Sequence, residues 1–168
     1  MKKKIKLSER LKCIAGYIDD KDAVADIGTD HGYIAVHLAQ ANPNRNIIAS
    51  DTSEGSLNSA RRSASNFGVS SAIKFINAFG LDGVSPSEID TVVIAGLGGE
   101  TIVSILAGVT WTQCENIKLI LQPQSKIDVL CKFLNDNGYV IREPKSVSDR
   151  GKTYTIFHIG RDDSYGDT

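Results

Sequence analysis

The sequence predicts a mostly parallel, doubly wound α/β sheet with an antiparallel edge. Short apolar runs bounded by glycine alternate with amphipathic stretches along most of the 168 residues, which is the rhythm of βαβ units. Two β-rich runs follow near the end of the chain, joined by a polar loop that leaves no room for a crossover helix. We therefore expect these last two strands to pair antiparallel at the end of a seven-stranded sheet.

Seven runs are predicted as strands because they are short, apolar or β-rich, and bounded by turn residues. Five are expected to be parallel, at residues 23–27, 46–50, 73–77, 91–95 and 118–122. The final two, at residues 139–142 and 153–159, form the predicted antiparallel hairpin, and residues 160–168 are predicted as a polar tail.

Five helices are predicted from apolar residues at helical spacing and from capping signals. They cover residues 8–19, residues 33–41, the stretch from Ser53 to Gly68, the stretch from Gly99 to Gly108, and residues 126–137. The first lies in an N-terminal segment at residues 1–20. The chain length suits one domain, and residues 1–168 are predicted as a single domain.

Composition and residue spacing argue against a polycationic nucleic-acid binder, a metal-cluster protein and a membrane-spanning or secreted protein. The net charge is −1, so any nucleic-acid partner must be met by a local patch rather than by the whole chain. Basic residues surround the start of the first helix, either as a solvated face or as a phosphate-contacting patch: Lys2, Lys3, Lys4, Lys6, Arg10 and Lys12. The spacing of the three cysteines and three histidines predicts no metal site. No signal peptide or membrane span is predicted, so we expect a cytoplasmic location.

The stretch from Val24 to Tyr33 predicts a nucleoside-binding site. It places an apolar strand before a glycine-bounded turn and a helix start, and Asp51 ends the next strand about twenty residues later. A dinucleotide-binding loop needs a glycine where this chain has Asp30, whose charge would repel a diphosphate. S-adenosylmethionine has a nucleoside and a cationic centre but no phosphate, so it suits the loop better, and a nicotinamide reductase is the weaker alternative. The antiparallel final hairpin is typical of methyltransferase sheets.

The acidic residues of this region have distinct predicted roles. Asp51 can accept hydrogen bonds from both ribose hydroxyls, and Asp26 can brace the loop backbone. Asp30 can lie near the sulfonium or the amino group, and His31 is a candidate pocket residue at the helix start. The alternative for Asp26 and Asp30 is turn and helix capping, and for Asp51 it is an acid at a helix N-terminus.

A second glycine loop, residues 95–99, follows the fourth strand at the same end of the sheet. Glycines there can admit a flat base close to the backbone and expose N–H donors at a helix start. The alternative is a tight turn that serves packing alone.

Four ordered motifs and the first helix resemble the bacterial tRNA (adenine(22)-N1)-methyltransferase family, usually called TrmK. The motifs are residues 26–33, 94–99, 119–123 and 151–154, and residues 7–11 resemble the first helix of the family. The resemblance extends from about residue 7 to residue 159.

The resemblance implies a Rossmann-like class I methyltransferase that moves a methyl group from S-adenosylmethionine to N1 of adenine 22 in tRNA. It implies a catalytic contribution from Asp30 and His31. The implied cofactor contacts are Arg10, Asp26, Gly28, Thr29, Asp30, His31, Asp51, Thr52, Ala78, Phe79, Gly80, Ala95 and Gly96. The implied substrate contacts are Leu97, Gly98, Gly99, Gln122 and Pro123.

Two departures from the family pattern bear on function. The family continues into a helical C-terminal segment that helps to hold tRNA, whereas this chain ends at Thr168, so we expect weak tRNA binding. Basic residues of the hairpin remain as phosphate candidates: Arg142, Lys145, Arg150 and Lys152. Phe79 stands where the family tends to have an acid or amide, and it is expected either to pack on the cofactor's base or to point into the core. The alternative functions are methylation of another nucleic acid or a small molecule, and a non-catalytic cofactor-binding module.

Overall fold

The computed structural model describes residues 3–114 and 116–160, and in this part of the chain seven strands form one sheet. The strand order is β3-β2-β1-β4-β5-β7-β6. The strands are β1 (Val24–Ile27), β2 (Ile47–Asp51), β3 (Lys74–Asn77), β4 (Thr91–Leu97), β5 (Lys118–Pro123), β6 (Lys145–Asp149) and β7 (Lys152–Ile159). The first five are parallel, and β7 pairs antiparallel with both β5 and β6. The predicted fold class is confirmed.

Within the described residues, five α-helices cover the two faces of this sheet. They are α1 (Glu9–Ala15), α2 (Tyr33–Ala41), α3 (Glu54–Asn66), α4 (Gly99–Ala107) and α5 (Ile127–Asp136). Apolar side chains of α1, α2 and α3 pack in one core cluster, and those of α4 and α5 pack in the other. Successive residues of a strand point to opposite faces, so Val24 belongs to the first cluster and Ala25 to the second. The strand β1 is buried on both faces, which explains its continuous apolar run.

The chain reverses direction across the sheet between β1 and β4, because β2 and β3 lie on one side of β1 and β4 and β5 lie on the other. In open α/β sheets this switch point forms a crevice at the carboxyl ends of the strands. The loops after β1 and β4 therefore meet at one place.

The C-terminal hairpin differs from the prediction. Residues 139–142 were expected to form its first strand, but Ile141 makes only an isolated bridge to Ile159. The first strand is instead β6, joined to β7 by the two-residue turn Arg150–Gly151, in which both residues have positive φ (50° and 78°). Because β6 is the sheet edge and largely exposed, its sequence carries no apolar run that would mark it as a strand.

The first helix is shorter than residues 8–19. It begins after the N-cap Ser8, whose Oγ accepts a hydrogen bond from the Leu11 N–H, and ends at Gly16. Ile18 is nevertheless buried, because the following turn returns it to the core. The other predicted helices and parallel strands agree with the structure to within two residues at each end. Lys2 and residues 161–168 of the predicted tail lie outside the described residues.

Candidate active site

A cleft of about 570 Å³ opens at the carboxyl ends of β1 and β4. Its size falls in the range of small-molecule sites. Its walls come from the start of the chain, the loops after β1, β2 and β4, the exit of β5 and the β6–β7 turn. Ten residues that the sequence predicted as site residues border it: Arg10, Asp26, Gly28, Thr29, Asp30, His31, Asp51, Ala95, Gly96 and Leu97.

The loop after β1 is held in a conformation that requires alternate residues with positive φ. Gly28, Asp30 and Gly32 have φ values of 70°, 52° and 73°. The N–H of Gly28 donates to the Ser50 carbonyl over 2.8 Å, which ties the loop to β2. A Cβ on Gly32 would lie 2.9 Å from the Cβ of Ala60, so this glycine also lets α3 approach.

Asp51 at the end of β2 presents an oriented carboxylate to the cleft. Its Oδ2 accepts a hydrogen bond from the Asp30 N–H over 3.1 Å, and its Oδ1 accepts one from the Ser53 N–H over 3.0 Å. A carboxylate oxygen has two lone pairs, so each oxygen retains acceptor capacity. The arrangement can accept two hydroxyl groups of a ribose.

Asp26 braces the loop through a side chain rather than through backbone N–H groups. It is only 4% exposed, and its Oδ2 accepts a hydrogen bond of 2.8 Å from the Thr29 hydroxyl. Burial raises the pKa of Asp26 to about 6, while the Thr29 hydrogen bond lowers this pKa and the charge of Asp51 raises it. Asp26 is therefore a buried carboxyl that costs stability when it is ionised.

Asp30 and His31 lie at the rim of the cleft. Their side chains are 67% and 53% exposed, and His31 Nε2 lies 3.6 Å from Asp30 Oδ2. The other ring nitrogen, Nδ1, is 2.8 Å from Ser59 Oγ. The imidazole also stacks on Tyr33 with 5.3 Å between ring centroids. These contacts hold the histidine beside the acid.

Arg10 brings the N-terminal helix to the cleft. Its Nη1 donates to Gln122 Oε1 over 2.6 Å, and its guanidinium carbon lies 5.4 Å from the centroid of the Tyr154 ring. The Arg10 N–H donates to Asp149 Oδ2 over 3.1 Å. That bond, followed by one from the Ser8 hydroxyl, lowers the pKa of Asp149. The start of α1 is thus fastened to the β6–β7 hairpin.

The second glycine loop divides into two parts. Gly96 has φ 77°, and a Cβ there would meet only Arg10 Nη1, at 3.8 Å, so its backbone is open to the cleft. Gly99 instead packs on the start of α5: its N–H donates to the Ser125 carbonyl over 2.8 Å, and a Cβ there would collide with the Lys126 carbonyl. The packing interpretation therefore fits Gly99, and the ligand interpretation fits Gly96.

The remaining predicted site residues do not line the cleft. They are Thr52, Ala78, Phe79, Gly80, Gly98, Gly99, Gln122 and Pro123. The segment with Ala78 and Gly80 is fastened beside the cleft, because the Ala78 N–H donates to the Asp51 carbonyl over 3.1 Å and a Cβ on Gly80 would meet Ile105 at 2.9 Å. Phe79 is 47% exposed, so the alternative in which it points into the core is wrong.

A groove of about 450 Å³ lies beside the cleft. It is bordered by the exit of β5, the start of α5 and the start of β7, and Pro123 is one of its residues. Gln124 and Tyr154 line both the groove and the cleft, which places the two spaces side by side.

Several cleft residues were missed from the sequence: Ser8, Gln124, Asp149 and Tyr154. Lys6 and Arg150, which also border the cleft, were predicted only as phosphate candidates. The resemblance did include Tyr154 in a motif, and Gln124 follows directly after Gln122 and Pro123, so position in a motif was the available signal. Asp149 gave none, because its role depends on the hairpin register.

Residues 3–114 and 116–160 contain neither a cluster of metal ligands nor a membrane-spanning helix. No group of three His, Cys, Asp or Glu side chains there could hold a metal ion. None of the helices in the same residues is long and apolar enough to cross a membrane.

Comparisons with known proteins place this cleft in context. A family model described as "Methyltransferase domain" matches residues 7–157. The tRNA (adenine(22)-N(1))-methyltransferase of Bacillus subtilis is 30% identical over 152 residues, covering 90% of this chain and 64% of that protein. The chain thus spans just under two thirds of that relative's length.

Two further proteins are similar over most of the chain. A putative tRNA methyltransferase of Mycoplasma pneumoniae is 34% identical, covering 92% of this chain and 72% of that protein. The structure also superposes on a putative tRNA (m1A22) methyltransferase of Streptococcus pneumoniae, solved in complex with S-adenosyl-L-methionine, with a TM-score of 0.84 and 28% identity. That superposition covers 94% of this chain and 75% of the other.

Proposed function

We propose that this chain, a member of the bacterial tRNA (adenine(22)-N1)-methyltransferase family, methylates N1 of adenine 22 in tRNA. S-adenosylmethionine is the methyl donor. The observation that carries the proposal is the oriented Asp51 carboxylate at the switch point of the sheet, beside a loop in which Asp30 replaces a phosphate-binding glycine. Because tRNA is a cytoplasmic molecule, the activity would act in the cytoplasm.

The charges around the cleft fit S-adenosylmethionine. Four carboxyl groups border it: Asp26, Asp30, Asp51 and Asp149. Among the described residues, only three Lys or Arg side chains do so: Lys6, Arg10 and Arg150. A diphosphate beside Asp30 would be repelled, whereas a sulfonium and an amino group would be attracted. The open backbone at Gly96 leaves room for the flat adenine ring of the cofactor.

The chain's own residues divide the work of holding the cofactor. Asp51 would accept the ribose hydroxyls, with Thr52 beside it, and Asp30 would face the cationic end. Asp26 and Thr29 would keep the loop with Gly28 in shape, and Arg10 would close the cleft from α1. The segment with Ala78, Phe79 and Gly80, tied to the Asp51 carbonyl, would flank the base, with the exposed Phe79 ring against it.

Chemistry at the acceptor needs positioning more than activation. When bound, S-adenosylmethionine supplies an electrophilic methyl group on a cationic sulfur. Adenine N1 has an in-plane lone pair, so no strong base is needed before attack, and alignment can lower the barrier by roughly 7 to 11 kcal/mol. N1 methylation leaves a cationic ring. Asp30 or His31 would stabilise that charge or accept the proton lost from the amino group.

Transfer to tRNA is the decisive experiment. The protein is incubated with labelled S-adenosylmethionine and unmodified tRNA, and the product is digested and mapped. We expect N1-methyladenosine at one position, and no label in the same tRNA with guanine at that position. Cofactor binding without transfer to any RNA would replace the proposal with a cofactor-binding module, and calorimetric binding of NADH alone would replace it with a reductase.

A further inference from the structure

A chain of hydrogen bonds that starts at Arg10 fixes the orientation of two glutamine amides. Guanidinium groups carry only donors, so Gln122 must turn its Oε1 toward Arg10, at 2.6 Å. Gln122 Nε2 then donates one hydrogen to the Pro123 carbonyl over 3.0 Å and the other to Gln124 Oε1 over 3.3 Å. The Gln124 carbonyl oxygen is therefore the atom that faces Gln122, and its Nε2 is left as the outward donor.

Gln122 and Gln124 differ in what they can contact. Gln122 is 0% exposed, its carbonyl oxygen accepts from Arg10 and both its N–H donors bond protein acceptors, so it is too deeply buried to contact a substrate directly. Gln124 is exposed, and its own N–H donates to the Leu97 carbonyl over 2.8 Å, which anchors it to the glycine loop after β4. In residues 3–114 and 116–160, no acceptor is hydrogen-bonded to Gln124 Nε2.

The position of Gln124 suits contact with the acceptor base. It stands where the cleft meets the groove, so a base in the groove would present one edge to the cleft. Tyr154, which Arg10 holds at its ring face, lines the same boundary, and the exposed Ile127 lines the groove. An aromatic ring and an apolar side chain are the surfaces on which an unstacked base is usually held.

We propose that Gln124 selects adenine by its Hoogsteen edge. Its Nε2 donates to adenine N7, and the second lone pair of its Oε1 accepts from the N6 amino group. This pairing leaves N1 free to face the cleft, which the transfer of a methyl group to N1 requires. Guanine would place its O6 acceptor against Oε1 and is rejected. The inference rests on the proposed function and adds to it the residue that reads the base.

The two partners of this pairing can be changed separately. The variant Gln124→Met keeps the side-chain length and removes both polar atoms, and 7-deazaadenine at the target position of the tRNA removes the N7 acceptor. Loss of a specific base contact costs roughly 5- to 100-fold in kcat/KM. We expect a loss in this range from either change alone, and no further loss when the variant meets the 7-deaza substrate.

A matched control is Gln113→Met, since Gln113 is also an exposed glutamine but lies outside both the cleft and the groove. This control should keep the full penalty for 7-deazaadenine. The inference is overturned if Gln124→Met methylates both substrates as the parent does, or if its penalty for 7-deazaadenine equals that of the parent. Failure of the parent to methylate unmodified tRNA would instead overturn the proposed function.

Gln122 is a positioning residue in this scheme. Its role is tested by the ratio of kcat/KM for tRNA with adenine to kcat/KM for tRNA with 7-deazaadenine at the target position. A purely structural role would lower both rates equally and keep the ratio. We expect Gln122→Met to bring the ratio close to one, because Gln124 is then free to rotate. A parental ratio would exclude the relay from Arg10, and the Gln124 variant decides the base contact whether or not the Gln122 variant folds.

Discussion

The Asp51 Oδ2 accepts a hydrogen bond from the backbone N–H of Asp30 over 3.1 Å, which joins the loops after two neighbouring strands. The bond orients the carboxylate and also fixes Asp30, whose φ is 52°. A single acidic side chain therefore shapes the loop of the site and is the group that we propose to bind the ribose.

Replacing Asp51 with Asn should weaken cofactor binding. The substitution removes the charge that strengthens hydrogen bonds to the ribose and turns one oxygen into a donor that opposes an N–H group. We expect the Kd for S-adenosylhomocysteine to rise roughly 10- to 100-fold by calorimetry. Asp82→Asn, an exposed acid outside the cleft, is the control, and equal affinities of the two variants would contradict the role of Asp51.

Asp26 should make stability depend on pH. Its pKa is raised from 3.8 to about 6 in the folded protein, so folding favours the protonated form. This contribution to stability is present in full below the unfolded pKa and is lost as pH rises through about 6. Relative to Asp26→Asn, the free energy of unfolding should fall by roughly 2 kcal/mol between pH 4 and pH 7.5. Urea unfolding at the two pH values measures it, and a difference that does not change with pH would refute the raised pKa.

Asp30→Asn and His31→Ala test the handling of charge at the acceptor. Asparagine tolerates positive φ, so the first variant preserves the loop while it removes the negative charge. Removing a positioned acid or base typically costs roughly 100-fold or more in rate, and we expect kcat at saturating cofactor to fall in at least one variant, beyond any weakening of cofactor binding by the loss of the Asp30 charge. Parental rates in both, with normal cofactor binding, would mean that the two residues only border the site.

Gly99→Ala should destabilise the fold at the acceptor side. A Cβ there collides with the Lys126 carbonyl, and the backbone at the start of α5 cannot move away cheaply. Overpacking of this kind costs roughly 1 to 3 kcal/mol, seen as a lower melting temperature. In Gly55→Ala the nearest atom to the new Cβ is Ser53 Oγ at 3.6 Å, so that variant should melt at or above the parental temperature. Equal melting temperatures of the two variants would show that a Cβ at position 99 is accommodated beside the Lys126 carbonyl without cost in stability.

Binding of tRNA should be sensitive to salt. Lys6 and Arg150 border the cleft, and each phosphate contact releases counterions when it forms. Replacing both with Ala should lower the slope of log K against log salt by about 2. Lys21→Ala is the control, since Lys21 precedes β1 and lies at the opposite end of the sheet. Tight binding at high salt would contradict an electrostatic interface.

The sequence predicted the part of the fold that depends on local pattern. The parallel strands and most helices carry apolar periodicity and glycine punctuation, so their bounds were close. The arrangement of Asp26, Asp30 and Asp51 was also predictable, because the carboxyl ends of adjacent parallel strands must meet. Strand β6 was missed, since an exposed edge strand needs no apolar run.

The sequence by itself determined the class of sheet, the cofactor loop and the acid that ends β2, because these features follow from neighbours along the chain. Only the tertiary structure decided that Arg10, Gln122, Gln124 and Tyr154 form one cluster. Arg10 and Gln122 are 112 residues apart, and their contact depends on the placement of α1 against the hairpin and of β7 beside β5. Such contacts arise from strand order and packing, which no local pattern specifies. For this reason the sequence predicted that Gln122 touches the substrate. In the structure the Gln122 amide is hydrogen-bonded to Arg10, and the exposed amide is that of Gln124.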